Sequence, residues 1–283
     1  MEARFTVRQV SSLGPDIHRI VIDAPRVARH ARPGQFVIVR PTSDGERIPL
    51  TVCETDPASG TITLVVQGVG RSTDDLLSLG EHDHVADVLG PLGLPTEVDR
   101  FGPCAIVAGG VGAAIALPVA RAWKEAGNAI VGILGARSAS HLILVDELMA
   151  TCDEVHLMTE DGSTGGAGLV TDALVTVLQE QSIARVFVVG PIAMMRAVAD
   201  LTRSAGVPTV ASLNPLMVDG TGMCGGCRVT IGGQTRFACV DGPEFDAHLV
   251  DFGALAMRNT AYRTFEACQR DLIKAAPHDE TAS

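Results

Sequence analysis

The sequence has few aromatic residues and few basic ones. Its 283 residues include one Trp and one Tyr, and 22 Lys and Arg stand against 33 Asp and Glu, for a net charge of -11. Proteins that bind nucleic acid need a basic surface for the phosphates and aromatic rings for the bases. We therefore expect neither nucleic acid nor an anionic membrane surface as a partner.

We expect neither a secretory leader nor a membrane-spanning segment in this sequence. The N-terminus, MEARFTVRQV, alternates like a strand and has no apolar signal core. The longest apolar run, Cys104 to Ala120, contains GGVG and Pro118, which favours a strand, a tight loop and a helix start over a membrane span. Seven cysteines, an odd number without a leader, favour a reducing cytoplasm and metal binding over disulfides.

The chain is long enough for two domains and a small appendage. Residues 1–99 contain evenly spaced short strands separated by Pro/Gly/Asp turns, which predicts an antiparallel β-barrel. A helix over STDDLLSL, with Ser72 or Thr73 as N-cap, interrupts them. Residues 100–212 alternate apolar strands with helical patterns, which predicts a parallel sheet covered on both faces.

The remaining residues are too few for a core of their own. Residues 213–251 are rich in glycine, and VTIGGQTRFACV predicts a hairpin that turns at Gly232-Gly233, with Cys239 on its second strand. We expect a bound metal or cluster to supply the missing stability. Residues 252–283 predict one helix and a polar tail.

Four candidate metal ligands lie in this third segment: Asp219, Cys224, Cys227 and Cys239. Thiolates separated by two residues chelate one iron or zinc ion, and a later residue returns a third thiolate. A zinc ribbon would bring a second C-x-x-C pair, which is absent, so the spacing favours a [2Fe–2S] cluster over zinc or an unligated set. Cys268 is the rival for fourth ligand, while Cys53, Cys104 and Cys152 are interpreted as core residues.

Two glycine-containing loops are candidate nucleotide sites. The loop from Gly68 to Thr73 leads into a helix, where backbone N–H groups and hydroxyls suit a pyrophosphate; the alternative is an ordinary strand–helix turn. Gly109-Gly110-Val111-Gly112 joins a buried strand to a helix at the carboxyl edge of the predicted sheet, where dinucleotides bind.

Two further segments belong to the same hypothesis. Glu160-Asp161 follows the third strand of the sheet, where acidic groups favour NADH over NADPH; the alternative is a solvated loop. Gly190-Pro191 ends another strand and is predicted to border the nicotinamide crevice.

The combination resembles the ferredoxin–NADP reductase superfamily with an iron–sulfur appendage. Over nearly its whole length the chain resembles the electron-transfer subunits of dihydroorotate dehydrogenase. It is more similar still to the small subunits of NADH-dependent reduced ferredoxin:NADP oxidoreductases, also called sulfide dehydrogenase small subunits. LMVDGTGMCGGCRVTIGGQTRFACVDGPEFDAHLVDF carries this resemblance, RIPLTV and VVQGVGRSTDDL match flavin motifs, and VAGGVG and VVGP match nucleotide motifs. Asp219, in place of a first cysteine ligand, favours the second assignment.

The resemblance implies three bound groups and no catalytic acid or base. FAD would be held by Arg47, Pro49, Leu50, Thr51, Gly70, Ser72 and Thr73; NAD(H) by Gly110, Gly112, Glu160, Asp161 and Gly190; and a [2Fe–2S] cluster by Asp219, Cys224, Cys227 and Cys239. Leu50 replaces the aromatic residue that the wider superfamily places beside the flavin-motif serine.

The resemblance also implies a function in a complex. The chain would carry electrons between NADH, FAD, the cluster and a larger FAD and [4Fe–4S] flavoprotein subunit that binds NADP(H). Ferredoxin is a further candidate partner, and the pair is a candidate for electron bifurcation. The alternatives are the electron-transfer subunit of a dihydroorotate dehydrogenase, a stand-alone NADH-dependent flavin reductase with zinc in the hairpin, and a nucleotide-sensing subunit without turnover.

Overall fold

The computed structural model describes residues 5–260. The strands are β1 (Phe5–Gly14), β2 (Ile17–Asp23), β3 (Phe36–Arg40), β4 (Ile48–Asp56), β5 (Thr61–Gln67), β6 (His84–Val85), β7 (Asp87–Leu92), β8 (Cys104–Gly109), β9 (Ile130–Ala136), β10 (Glu154–Thr159), β11 (Gly166–Ala167), β12 (Arg185–Val189), β13 (Thr209–Ser212), β14 (Arg228–Ile231), β15 (Gln234–Phe237) and β16 (Glu244–Asp246). The helices are α1 (Pro25–His30), α2 (Arg71–Leu77), α3 (Ala113–Glu125), α4 (Val145–Thr151), α5 (Val170–Glu180), α6 (Ile192–Ala205), α7 (Ala238–Asp241) and α8 (Phe252–Thr260). No helix in this part of the chain is long and apolar enough to cross a membrane.

The first seven strands form the predicted antiparallel barrel. Their order in the sheet is β6-β1-β2-β5-β4-β3-β7. Only Ala86 separates β6 from β7, so this one segment pairs first with β1 and then with β3. The two ends of the sheet thereby meet, and the barrel is nearly closed. Its interior is filled by aliphatic side chains that include Ile20, Val37 and Leu64.

The second large sheet is the predicted parallel one. Its order is β11-β10-β9-β8-β12-β13-β16, and pairing is parallel from β11 to β13. One apolar core joins it to α3 and α4, and another joins it to α5 and α6, so both faces are covered. After β8 the chain adds strands on one side of it as far as β10, and β12 then pairs with the other side of β8. This reversal of direction opens a crevice at the carboxyl ends of β8 and β12.

The C-terminal segment is built into this second sheet. β14 and β15 form the predicted hairpin, in which Ile231 pairs with Gln234 around Gly232-Gly233. β16 adds to β13 as an antiparallel edge strand that the sequence did not reveal. Val229 and Ala238 are buried in the same core as Val188 of β12. The segment therefore draws stability from a shared core, and not only from a bound metal as expected.

Two local predictions were wrong. Cys239 lies in the short helix α7 and not on the hairpin strand, because the backbone turns after Phe237, whose N–H donates to Asp241 Oδ2 at 2.8 Å. The N-cap of α2 is Gly70, not Ser72 or Thr73. Thr73 lies in the first turn instead, and its hydroxyl accepts a hydrogen bond from the Gly70 N–H at 3.0 Å.

Candidate functional site

A cavity of about 660 Å³ lies at the carboxyl ends of β8, β9 and β12. The glycine loop that follows β8 forms its floor, and Gly190 after β12 forms one side. Of the residues predicted to bind a nucleotide, Gly110, Gly112, Glu160 and Gly190 all line this cavity. The crevice thus lies where the reversal in strand order places nucleotide sites in sheets of this kind.

A side chain would have different effects at Gly110 and at Gly112 in this loop. Gly110 has a φ of +54°, and a Cβ there would meet nothing within 4 Å. Gly112 is the N-cap of α3, and a Cβ there would stand 2.7 Å from the Val189 carbonyl oxygen. Gly112 therefore allows close packing of helix and strand, whereas Gly110 leaves open a cradle that a side chain would begin to fill. This arrangement fits a dinucleotide.

The cavity is also lined by ionisable side chains. Arg137, His141 and Glu160 line it together. Asp161 does not line it, because its carboxylate accepts hydrogen bonds from the Ser163 hydroxyl at 2.6 Å and the Ser163 N–H at 3.0 Å. These bonds hold the pKa of Asp161 below its usual range. Of the two acidic residues predicted here, only Glu160 faces the cavity.

A second cavity, of about 400 Å³, lies between the barrel and the parallel sheet. Pro49, Leu50 and Thr51 of β4 line it, and so does Thr73 of α2. Its walls are mainly aliphatic, which suits a flat aromatic ring system such as a flavin. Arg47, Gly70 and Ser72 are not part of its lining, and Arg47 is exposed at the barrel surface.

The loop before α2 is ordered by one hydroxyl. Thr73 Oγ1 accepts from the Val69 N–H at 2.9 Å and from the Gly70 N–H at 3.0 Å, and it donates to the Gly70 carbonyl at 2.7 Å. The hydroxyl is fully used inside the loop. Any anion bound here would therefore be held by the N–H groups of the first helical turn, which have no acceptor within the helix.

The two cavities meet along a shared wall that the sequence analysis missed. The residues that line both are Gln67, Val111, Ile115, Ser212 and Asn214. They come from the end of β5, the start of α3 and the end of β13, which are distant in sequence. The only signals in the sequence were polar residues that end apolar strands, as in TITLVVQ and TVASLN.

The structure brings two of the four candidate metal ligands into direct contact. The Sγ atoms of Cys227 and Cys239 are 3.2 Å apart. The backbone N–H of Cys239 donates to Cys227 Sγ at 3.4 Å, and that of Gly226 donates to Cys224 Sγ at the same distance. Burial and the neighbouring Cys227 thiol raise the pKa of Cys239 to about 12. Ligation would therefore have to displace a proton from this thiol.

Asp219 organises the loop that leads to these cysteines. Its Oδ1 accepts from the Thr221 N–H at 3.0 Å, and its Oδ2 accepts from the Cys224 N–H at 2.8 Å. These bonds lower the pKa of Asp219 below its usual range, so the carboxylate is ionised at neutral pH. Carboxylate oxygens retain lone pairs after two such bonds, so ligation remains open to it.

The donor set of three cysteines and one carboxylate fits a two-iron cluster. Within residues 5–260, no group of three or more His, Cys, Asp or Glu side chains is arranged to hold a metal ion. Structural zinc needs four ligands around one ion, whereas a [2Fe–2S] cluster spreads its ligands over two irons. The contact pair of Cys227 and Cys239 fits such a cluster. Cys268, the predicted rival ligand, lies outside the described residues.

The other cysteines of the described chain are core residues, as predicted. Cys53, Cys104 and Cys152 are buried. Burial raises the pKa of Cys53 to about 12 and those of Cys104 and Cys152 to about 11. All three pack in the apolar core that joins the parallel sheet to α3 and α4.

The cysteine loop packs directly on the barrel. Gly220 has a φ of +73°, and a Cβ there would lie 2.6 Å from Leu92 Cδ1 and 2.9 Å from Ile38 Cγ1. Met217, two residues before Asp219, lines the second cavity. The candidate cluster site and the candidate flavin cavity are therefore joined by a short stretch of chain.

Comparison with known proteins identifies the C-terminal segment first. Residues 214–251 match the family described as the iron–sulfur cluster binding domain of dihydroorotate dehydrogenase B. This stretch contains Asp219, Cys224, Cys227 and Cys239.

Relatives extend the similarity to the whole chain. The chain is 48% identical to the dihydroorotate dehydrogenase B (NAD(+)) electron transfer subunit homolog of Thermotoga maritima, over 95% of each chain. It is 31% identical to the corresponding electron transfer subunit of Bacillus caldolyticus, over 86% of this chain and 96% of that one. A solved chain of the NADH-dependent reduced ferredoxin–NADP oxidoreductase superimposes with a TM-score of 0.91 at 44% identity, over 96% of this chain and 99% of that one. The chain therefore belongs to the family of the dihydroorotate dehydrogenase B electron transfer subunits and their homologues.

Proposed function

We propose that this chain is an oxidoreductase subunit that passes electrons between NADH and a partner flavoprotein through FAD and a [2Fe–2S] cluster. The observation that carries the proposal is the continuity of the three sites. The nucleotide cavity shares a wall with the flavin cavity, and Met217 links the flavin cavity to the cysteine loop. When bound, the flavin supplies exchange of electron pairs with nicotinamide and of single electrons with the cluster.

The barrel provides the flavin site. Pro49, Leu50 and Thr51 offer an aliphatic wall with one hydroxyl against the ring. Gly70, Ser72 and Thr73 form the start of α2, where free N–H groups and the positive end of the helix suit a pyrophosphate. Arg47 is exposed just before β4, where its guanidinium can pair with a phosphate.

The parallel sheet provides the NADH site. Gly110 and Gly112 let the dinucleotide lie close to the backbone, and Gly190 borders the nicotinamide end. Glu160 faces the cavity, where its carboxylate would accept hydrogen bonds from a ribose and repel a 2′-phosphate. Asp161 orders the following turn and adds negative charge beside it.

The C-terminal loop provides the cluster site, with Asp219, Cys224, Cys227 and Cys239 as ligands. Backbone N–H groups already point at Cys224 Sγ and Cys227 Sγ. Such bonds to sulfur stabilise the added negative charge of a reduced cluster and so raise its reduction potential. A carboxylate ligand in place of a thiolate also changes the potential.

The surface around this loop suits a protein partner. Four apolar side chains near the cysteines are exposed: Leu216 at 42%, Val218 at 47%, Met223 at 89% and Val240 at 40%. An exposed apolar cluster of this kind marks an interaction site. The partner we propose is a larger FAD and [4Fe–4S] flavoprotein subunit that binds NADP(H), with ferredoxin as a further partner, in the cytoplasm.

Anaerobic purification of the chain tests this function. We expect bound FAD, iron and sulfide in the ratio of one flavin to one [2Fe–2S] cluster, and bleaching of the flavin absorbance by NADH. NADPH should bleach it more slowly, because Glu160 disfavours the 2′-phosphate. Stoichiometric zinc without iron would show instead a flavin reductase with a zinc-bound hairpin. A chain that binds nucleotide but no flavin would be a sensor.

A further inference from the structure

Ser212 places an unused hydroxyl at the wall between the two cavities. It is the last residue of β13 and is only 5% exposed, yet it lines both cavities. Alternate residues of a strand face opposite sides of the sheet. Val210 packs in the core under α3 and Ala211 in the core on the opposite face. Ser212 therefore lies on the same face as Val210, toward α3 and the barrel.

Gln67 brings a second polar side chain to the same wall. It is the last residue of β5 and lies on the same face as Val65, which is buried in the core under α3. The barrel and the parallel sheet thus each end a strand with a polar residue at the junction.

Both side chains are available to a ligand at this wall. Among residues 5–260, the Ser212 hydroxyl and the Gln67 amide have no hydrogen-bond partner in the structure. Neither group belongs to the fully enclosed polar atoms that lack a partner, so the cavities that they line leave both groups accessible. A ligand that occupies the junction can therefore form hydrogen bonds with them.

We propose, on the basis of the function proposed above, that Ser212 binds the carboxamide of the nicotinamide ring, with Gln67 as the second polar contact. The reacting nicotinamide must lie where the nucleotide cavity opens into the flavin cavity. Val111 and Ile115 provide apolar surface for the ring there. The carboxamide is the only polar substituent of the ring apart from the sugar, and it both donates and accepts. A hydroxyl and a primary amide match it in both respects.

Binding of a nucleotide analogue tests this assignment. In 3-acetylpyridine adenine dinucleotide a methyl group replaces the carboxamide NH₂, so both N–H donors are lost while the carbonyl acceptor remains. Calorimetry on the FAD-loaded chain should give a Kd for this analogue roughly 5-fold higher than that for NAD⁺, the effect of one neutral hydrogen bond. In Ser212→Ala the ratio of the two Kd values should fall to about 1–2. Gln67→Leu should also lower it.

The controls separate binding from folding. Thr209→Val removes a buried hydroxyl from the same strand, but Thr209 donates to the Val207 carbonyl and lines neither cavity. This variant should keep the wild-type ratio even where its Tm is lower. Ser212→Ala should unfold at the wild-type temperature, because its hydroxyl has no partner within residues 5–260 to lose.

The outcomes are distinct. A wild-type ratio of Kd values in Ser212→Ala would overturn the assignment, and an unchanged ratio in Gln67→Leu would remove Gln67 from it. If the FAD-loaded wild-type chain binds neither nucleotide and NADH does not reduce its flavin, the proposed function itself fails. A KM for NADH that rises in Ser212→Ala with little change in kcat would support a role in binding.

Discussion

Asp219 connects loop structure and cluster binding in a single side chain. Its two oxygens hold the backbone of Thr221 and Cys224 before any metal is considered. The loop that presents Cys224 is therefore shaped by the same carboxylate that we propose as a ligand. Removal of the carboxylate should act on both roles at once.

The substitution Asp219→Ala should lower iron retention roughly tenfold or more, because a ligand and two loop hydrogen bonds are lost together. Iron analysis after gel filtration and EPR of the reduced protein measure this. Asp219→Cys is the matched variant, since it removes the same loop bonds but supplies a thiolate, and it should retain iron with an altered EPR signal. Unchanged iron and EPR in Asp219→Ala would point to another fourth ligand, with Cys268 the first to test.

Glu244 is a half-buried carboxyl group at the junction of three parts of the chain. It lies on β16, its Oε1 accepts from the Thr96 hydroxyl at 2.6 Å, and a Cβ on Gly34 of the barrel would stand 2.5 Å from the same oxygen. Burial raises the pKa of Glu244 to about 7, although the Thr96 hydroxyl and the charge of Arg185 favour the ionised form. The folded chain therefore holds this proton to a higher pH than the unfolded chain, whose Glu has a pKa near 4.5.

It follows that Glu244 makes folding less favourable as pH rises from about 4.5 to about 7, with the loss complete above that range. The free energy of unfolding should fall by on the order of 1–3 kcal/mol across this window. Glu244→Gln should remove that fall and be more stable than the wild type at pH 8, as measured by urea unfolding. Glu180→Gln, at an exposed position on α5, is the control. A wild-type pH profile in Glu244→Gln would contradict the expectation.

At the scale of elements, the two glycines of the loop between β8 and α3 are expected to differ in their effects on stability and on nucleotide binding. Gly110 has open space beside it, and Gly112 has the Val189 carbonyl beside it. Gly110→Ala should lower the free energy of unfolding by about 1–2 kcal/mol through its left-handed backbone and weaken NAD⁺ binding as its methyl enters the cradle. Gly112→Ala should cost about 1–3 kcal/mol by overpacking.

Gly206 offers a matched control for this pair. It ends α6 with a φ of +69°, a Cβ there would meet nothing within 4 Å, and it lies outside both cavities. Gly206→Ala should therefore cost about as much stability as Gly110→Ala but leave the Kd for NAD⁺ unchanged. Equal affinities in these two variants would show that Gly110 does not face the nucleotide.

The sequence predicted the strands and turns better than the contacts between separate parts of the chain. Alternation and turn residues predicted the barrel, the parallel sheet and the hairpin at Gly232-Gly233, because these signals are local. Cys239 was misplaced because the turn after Phe237 depends on the side chain of Asp241. Gln67 and Ser212 escaped notice because they meet only when the barrel packs on the sheet, and no spacing along the chain records that contact.

On the scale of the whole molecule, the cysteine segment is not an independent module. Val229, Ala238 and Leu255 are buried in one core with Val107 and Val188 of the parallel sheet. The segment that we propose to bind the cluster therefore shares its core with the sheet that carries the nucleotide site. Loss of the cluster should therefore leave this shared core folded.

Removal of iron with a chelator under reducing conditions should therefore abolish the cluster absorbance but not the fold. We expect a Tm lower by roughly 5 °C, which corresponds to about 2 kcal/mol for a chain of this size. Far-UV circular dichroism and the fluorescence of Trp123, which is only 1% exposed, should be unchanged. Loss of either signal would show that the cluster supplies the folding free energy, as zinc does in zinc fingers.

The small antiparallel strand β16 has a consequence for how the molecule behaves in a crowded solution. A parallel sheet that ended at β13 would present a row of free backbone groups to any passing strand, and such edges seed aggregation. β16 occupies that edge, β11 ends the opposite one after two residues, and the barrel closes on itself through the segment that contains Ala86. Both large sheets are thereby protected against strand exchange with neighbouring copies. The segment that we propose to bind the cluster thus also shields one edge of the parallel sheet.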